Sequence, residues 1–334
     1  MMRLPKLDYT APTAIADVCS LLEQHGEEAR VLSGGTDLLP ACKLRNIMPG
    51  LLISLGGIQE LKGIRFQEGE GLKIGAMTSL HDVRHDPFIV DHFPALVQAA
   101  AAVGTVQLQH MGTLGGNLCL NTRCIFYNQS DSWRKSREVC FKMGGDVCHV
   151  VPKGKKCYAV FSGDTAPALI ALDAQVKLMN GSGERIMPAG ELYTGDGMEP
   201  IALKHNEILS EIRLPPPADR QSSVYLKYRQ REAIDFPLVG VAVRMDSDED
   251  GVCTDCKIVL NAVGPAPIEI AGAGELIKGK APTDKLINQA AERAVEGAHP
   301  VANTAGSTPS YRRKMAGILT RRALLAAASS LGLV

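Results

Sequence analysis

The sequence predicts an α+β protein of two domains, and three observations carry that prediction. Short strands alternate with short helical stretches through the first half of the chain. Pro215-Pro216-Pro217 and a polar stretch to Ser223 then interrupt the pattern as a linker. Beyond it a long β-hairpin is followed by two helices. At 334 residues the chain can bury two or three cores, and 45% hydrophobic with 22% charged residues describes a globular composition. The predicted domains are 1–217 and 222–334, the first split into subdomains of about 1–56 and 57–217.

The elements follow in order. Apolar residues at helical spacing (Ile15, Val18, Leu21, Leu22) predict a helix over 14–25, with Cys19 on its core face. Val31-Leu32 is a short strand that enters Ser33-Gly34-Gly35-Thr36-Asp37, and Leu38-Leu39 opens a further turn. Leu51 to Leu55 reads as a buried strand closed by Gly56-Gly57. In the second subdomain Leu72 to Ala76 is a strand, Thr78 or Ser79 can cap a helix beginning at Leu80, and Pro94 to Val103 is an Ala-rich helix. Thr113-Leu114-Gly115-Gly116-Asn117 is a second glycine turn, with Cys119 placed in a strand after it. From Asn121 to Ser162 both periods vanish. They return with the apolar run Ala166 to Leu172, a strand over 174–179 and a hairpin turn at Gly181-Ser182-Gly183. In the second domain, 237–245 and 252–263 form a hairpin around an acidic turn. It is expected as a hairpin or three-stranded sheet against helices near 282–297 and 308–330.

Composition removes several function classes. Lys plus Arg (36) equal Asp plus Glu (36) and aromatics are 4%, so neither a phosphate-seeking field nor a base-stacking platform is expected, and no nucleic acid partner. The apolar run Ala323 to Val334 is too short and too rich in Ala and Ser to span a bilayer. The opening residues contain no apolar signal core. Nine cysteines are therefore read as ligands or buried thiols of a cytoplasmic protein rather than as disulfides.

Both glycine turns suit an anion. Bare glycines let several backbone N–H groups face one concavity, and Thr36 adds a hydroxyl. Two such turns in separate subdomains can grip the two phosphates of one dinucleotide. Neither is G-x-G-x-x-G, so a Rossmann NAD site fits poorly. The aperiodic segment carries a different chemistry: Cys124-x15-Cys140-x7-Cys148-x8-Cys157. Four thiols on one irregular loop select a soft metal centre, either an iron–sulfur cluster or zinc. The spacing matches no paired C-x2–4-C zinc knuckle, although it does not exclude four-thiolate zinc. Lys142, Lys153, Lys155, Lys156, Arg134 and Arg137 surround the cysteines and are expected to favour thiolate. His149 reads as a loop donor, Trp133 as a shield of the loop interior, and Cys253-x2-Cys256 as a pair without a metal.

V-L-S-G-G-T-D-L (31–38), T-L-G-G-N (113–117) and G-D-T-A-P-A-L-I-A-L-D-A (163–174) resemble the FAD-binding medium subunit of the molybdenum hydroxylase family, which includes xanthine dehydrogenase and carbon monoxide dehydrogenase. In most members the second motif runs almost directly into the third. Here a segment of about 122–161 intervenes and holds all four cysteines. That departure, with N-L-C-L-N-T-R-C-I-F-Y-N-Q-S (117–130) and G-D-V-C-H-V (145–150), is similar to the β subunit of 4-hydroxybenzoyl-CoA reductase.

The resemblance implies a two-subdomain, vanillyl-alcohol-oxidase-like FAD domain with an inserted Fe–S loop, plus a smaller α+β domain. Val31, Leu32, Ser33, Gly34, Gly35, Thr36, Asp37 and Leu38, with Thr113, Leu114, Gly115, Gly116 and Asn117, would hold the FAD pyrophosphate and ribityl chain. Asp164 and Lys227 would stand near the flavin. Cys124, Cys140, Cys148 and Cys157 would ligate a [4Fe–4S] cluster. Molybdenum and the [2Fe–2S] clusters belong to a large and a small partner subunit, consistent with the lack of a C-x4-C-x2-C pattern here. A ferredoxin-like donor would deliver electrons inward for reductive dehydroxylation of an aromatic acyl-CoA. A stand-alone FAD dehydrogenase and a zinc-stabilised nucleotide-binding module are the alternatives.

Overall fold

Three sheets organise the chain in a computed structural model that describes residues 3–334; Met1 and Met2, within the predicted first domain, lie outside the described residues. The first subdomain contains β1 (Asp8–Thr10), α1 (Ile15–His25), β2 (Ala29–Leu32), α2 (Leu38–Lys43) and β3 (Leu51–Ser54). Its strands form a parallel sheet in the order β1-β3-β2. Ile15, Val18, Cys19 and Leu22 of α1 are buried against it, as their spacing requires.

The second subdomain adds β4 (Ile64–Gln67), β5 (Gly71–Gly75), α3 (Leu80–His85), α4 (Pro87–His92), α5 (Pro94–Ala102), α6 (Val106–Met111), α7 (Leu114–Leu118), α8 (Asp131–Lys135), α9 (Thr165–Ala171), β6 (Gln175–Asn180), β7 (Gly183–Pro188) and β8 (Ile208–Leu214). The strands form an antiparallel sheet, β4-β5-β8-β6-β7. Ser79 caps α3, accepting from the Asp82 N–H at 3.0 Å. Helix α9 is buried on every side. After Thr165 every residue of this helix is apolar, so it has no polar face and is marked by its apolar run.

The last sheet consists of β9 (Gln221–Tyr228), β10 (Val239–Ser247), β11 (Cys253–Asn261) and β12 (Ile268–Glu269), followed by α10 (Ala271–Ile277), α11 (Asp284–Gly297) and α12 (Pro309–Ser330). It has four antiparallel strands, β12-β11-β10-β9, rather than two or three. The polar stretch to Ser223 is partly strand: the buried Ser223 hydroxyl accepts the Ala95 N–H at 3.2 Å, which satisfies a polar side chain inside a core. Val241 and Val243 of β10 pack with α10–α12, whereas Ala242 joins Tyr225 and Val259 in the core of the second subdomain. Both faces of this sheet are therefore covered, and β10 is apolar from Val239 to Val243 before Arg244 interrupts it.

Cys119 is not in a strand. It ends α7, the five-residue helix into which the second glycine turn folds, with Thr113 as its cap: Thr113 Oγ1 accepts from the Gly116 N–H at 3.0 Å. Glycines disfavour an isolated helix. Here tertiary bonds override that preference, with Leu114 N–H donating to Thr78 O at 3.0 Å and Gly115 N–H to Ala76 O at 2.9 Å. A Cβ on Gly115 would stand 2.7 Å from that of Ala76.

Candidate functional site

The two glycine turns meet. Ser33 and Thr113, eighty positions apart, share a hydrogen bond of 2.6 Å, and Ser33 Oγ also lies 3.0 Å from the Met77 sulfur. The backbones touch as well: a Cβ at Gly34 would fall 1.8 Å from Met111 O. No residue but glycine fits there. The N–H groups of Gly34, Gly35 and Thr36 make no hydrogen bond among the described residues. Free donors on one half-exposed turn, beside a second turn of the same kind, suit a phosphate-bearing ligand. Helices α2 and α7 span six and five residues, and the free donors precede α2, so they are N–H groups of the turn itself rather than the end of a long dipole.

Asp164 and Lys227 form an ion pair of 2.8 Å, each side chain 4% exposed. The Tyr225 hydroxyl donates to the other carboxylate oxygen at 2.6 Å, and Lys227 also donates to Ala102 O at 2.9 Å. Burial pushes the Asp164 carboxyl up, against the pull of Lys227 and Tyr225. The next residue, Thr165, donates through its N–H (3.0 Å) and hydroxyl (2.7 Å) to Asn117 Oδ1. The pair thus anchors the chain that orients the end of the second turn.

The cysteine segment is closed at its base by a backbone pair: Arg123 N–H to Val160 O and Val160 N–H to Arg123 O, both 2.8 Å. Arg134 ties it to the first subdomain by donating to Leu44 O and Arg45 O. Asn303 ties it to the last domain, accepting the Ile125 N–H at 3.0 Å and donating to Tyr158 O at 2.5 Å. Ile125 follows Cys124 and Tyr158 follows Cys157, so one asparagine holds the chain beside the first and last cysteines. Asn303 is in turn held by the buried Arg312. Cys124, Cys140, Cys148 and Cys157 all line a single pocket with Tyr127, Lys142 and Tyr158. Two sulfurs accept backbone bonds of 3.4 Å, Cys148 from Val151 N–H and Cys157 from Ala159 N–H. Among the described residues no three His, Cys, Asp or Glu side chains are gathered tightly enough for one metal ion. A [4Fe–4S] cluster does not require that spacing, because each thiolate binds a different iron.

Known proteins share this architecture. A family described as the FAD binding domain in molybdopterin dehydrogenase matches residues 5–217, and one described as the CO dehydrogenase flavoprotein C-terminal domain matches 224–327. The chain is an FAD-binding medium subunit of the molybdenum hydroxylase family, and so an oxidoreductase subunit. The carbon monoxide dehydrogenase medium chain of Hydrogenophaga pseudoflava is 31% identical over 324 residues, 97% of each chain. The nicotinate dehydrogenase FAD-subunit of Eubacterium barkeri is 26% identical, over 81% of this chain and 79% of its own. The solved carbon monoxide dehydrogenase of Hydrogenophaga pseudoflava superimposes with a TM-score of 0.81 at 30% identity, covering 98% of this chain and 99% of that one.

In this medium subunit the predicted residues fall into two groups, the paired turns and the cysteine pocket, and Arg123 links them. Its guanidinium pairs with Asp37 of the first turn and lies 4.0 Å over the Phe236 ring, while its backbone closes the cysteine segment beside Cys124. Nothing in the sequence signals Arg123 or Asn303, since their partners are distant in the chain. At Cys124 and Cys157 burial outweighs nearby charge, pushing Cys124 up to about 11 and raising Cys157 as well. Ligation would have to displace those protons. Arg137 instead covers Trp133, at 4.3 Å, and His149 bonds Glu138 O at 2.9 Å. Cys253 and Cys256 are buried strand residues. No helix among the described residues is long and apolar enough to cross a membrane.

Proposed function

We propose that this chain is the FAD and [4Fe–4S] electron-transfer subunit of a cytoplasmic, heteromeric molybdenum enzyme, working beside a molybdenum-cofactor large subunit and a [2Fe–2S] small subunit. The parent reaction in this reading is reductive dehydroxylation of 4-hydroxybenzoyl-CoA, with electrons from a ferredoxin-like donor. The observation that carries it is the convergence of four cysteines on one pocket, in a segment joined to the flavin-holding turn through Arg123 and Asp37.

Flavin and cluster supply the electron chemistry, which no side chain can perform. The protein's part is to hold and orient. Gly34, Gly35 and Thr36 present N–H groups to the pyrophosphate, and Thr113 to Asn117, whose N–H groups from Leu114 on are bonded within the protein, form the facing wall. Asp164 and Lys227 act at one remove, fixing Thr165 and thereby Asn117. Cys124, Cys140, Cys148 and Cys157 are the ligands, and Val151 and Ala159 donate to two of their sulfurs. Such donors to sulfur are among the groups that set a cluster's potential.

Two experiments test this. In the anaerobically isolated assembly, Cys140→Ser is expected to lose about four irons per FAD while the flavin stays bound. Equal iron in variant and parent would reject the ligand assignment. Identification of the co-purifying chains tests the rest: a stable, catalytically complete monomer would favour a stand-alone FAD dehydrogenase. A colourless zinc protein would favour a nucleotide-binding module. Potentiometry placing the cluster well above the flavin would remove the basis for inward electron flow.

A further inference from the structure

Lys142 is an ammonium of the cysteine pocket whose hydrogen bonds all go to neutral groups. Its Nζ donates to Thr122 Oγ1 at 2.7 Å, Asn121 Oδ1 at 2.8 Å and Gly197 O at 2.5 Å, and stands 5.2 Å from the Tyr127 ring centre. These acceptors come from the base of the inserted segment and from the loop at Gly197, so the ammonium is clamped in place rather than swinging in solvent. A cation held among neutral dipoles at low local dielectric leaves a positive potential that an anion would satisfy.

We propose that Lys142 is the positioning charge of this pocket, balancing an anionic thiolate-bound cluster and favouring its reduced form. The inference rests on the cluster reading given above. Four thiolates give the bound centre a net negative charge, and an added electron increases it. A fixed cation therefore stabilises the reduced state more than the oxidised state and raises the reduction potential. Lys142 is not a ligand. Its effect is electrostatic, so charge rather than lysine as such should matter.

The test is an EPR-monitored potentiometric titration of the anaerobic assembly carrying wild-type chain, Lys142→Gln or Lys142→Arg, with iron and FAD measured in each. Glutamine keeps hydrogen-bond donors for Thr122 and Gly197 but removes the charge. The expected result is a shift of the cluster midpoint to more negative potential in the Gln variant, with the Arg variant close to wild type and FAD content equal in all three. Should the Gln variant lose iron altogether, retention of iron by the Arg variant supports the same conclusion. An unchanged midpoint in the Gln variant overturns the proposal, as does an Arg variant that shifts, or loses iron, as far as Gln. Wild-type assembly lacking this cluster would overturn the cluster reading itself and this proposal with it; iron present but insensitive to charge at 142 would overturn this proposal alone.

Discussion

A Lys227→Met variant is expected to lose about 3–5 kcal/mol of folding stability, because it strands the Asp164 carboxylate in a site where each partner is 4% exposed. Its remaining donor is the Tyr225 hydroxyl at 2.6 Å, which cannot replace a full charge. The loss extends beyond the pair. Thr165 hangs from the same turn and carries both bonds to Asn117 Oδ1, so the second glycine turn loosens and flavin retention falls with stability. Denaturant unfolding of the flavin-free chain measures the first effect. Adding Asp164→Asn to the same chain is expected to recover part of it, since a neutral amide no longer demands a counter-charge. A loss below about 1 kcal/mol would place the pair among exposed ones, which contribute little.

Gly34→Ala is expected to cost roughly tenfold or more in FAD affinity, the equivalent of about 1.4 kcal/mol. The added methyl would overlap Met111 O at 1.8 Å and the Met111 carbonyl carbon at 2.7 Å, both backbone atoms that cannot rotate away. The turns must separate, and the 2.6 Å bond between Ser33 and Thr113 goes with them. Overpacking of this kind costs about 1–3 kcal/mol in folded cores. Gly272→Ala is the matched control. That glycine sits in α10, and nothing lies within 4 Å of where an added methyl would stand, so alanine should be neutral or slightly stabilising. Flavin fluorescence titration of both variants separates the specific clash from a general intolerance of substitution.

How far these features are legible in the sequence depends on whether their cause is local. Helix α1 announces itself because Ile15, Val18 and Leu22 repeat at the helical period, and the β10–β11 hairpin because an acidic turn separates two apolar runs. Short α4 and α6 and edge strand β4 leave no such mark. They are brief, and tertiary packing rather than periodicity holds them. Cys119 differs from its expected strand for a related reason: the residues before it include Gly-Gly, and only bonds to Ala76 and Thr78 make them helical. The last sheet exceeds its expected three strands through the two-residue β12, too short to mark itself, while Ser222 and Ser223 of β9 look like linker until Ala95 supplies the hydroxyl's partner.

At the site, both turns and all four cysteines can be named from residue type and spacing. What sequence does not convey is the joinery between them. Arg123 reaches Asp37 across 86 positions, and Asn303 reaches Tyr158 across 145. The thiolates expected at Cys124 and Cys157 are opposed on the same ground. A count of nearby Lys and Arg suggests them, but burial outweighs those charges at Cys124 and Cys157.

The cysteine pocket and the glycine turns are expected to load iron and flavin together on one polypeptide. Iron, zinc and FAD should be quantified on the anaerobically prepared chain after separation from any partner subunits. The expected composition is about four irons per FAD, with zinc absent. Zinc without iron, or bound FAD with all four cysteines freely alkylated and no iron, would contradict it.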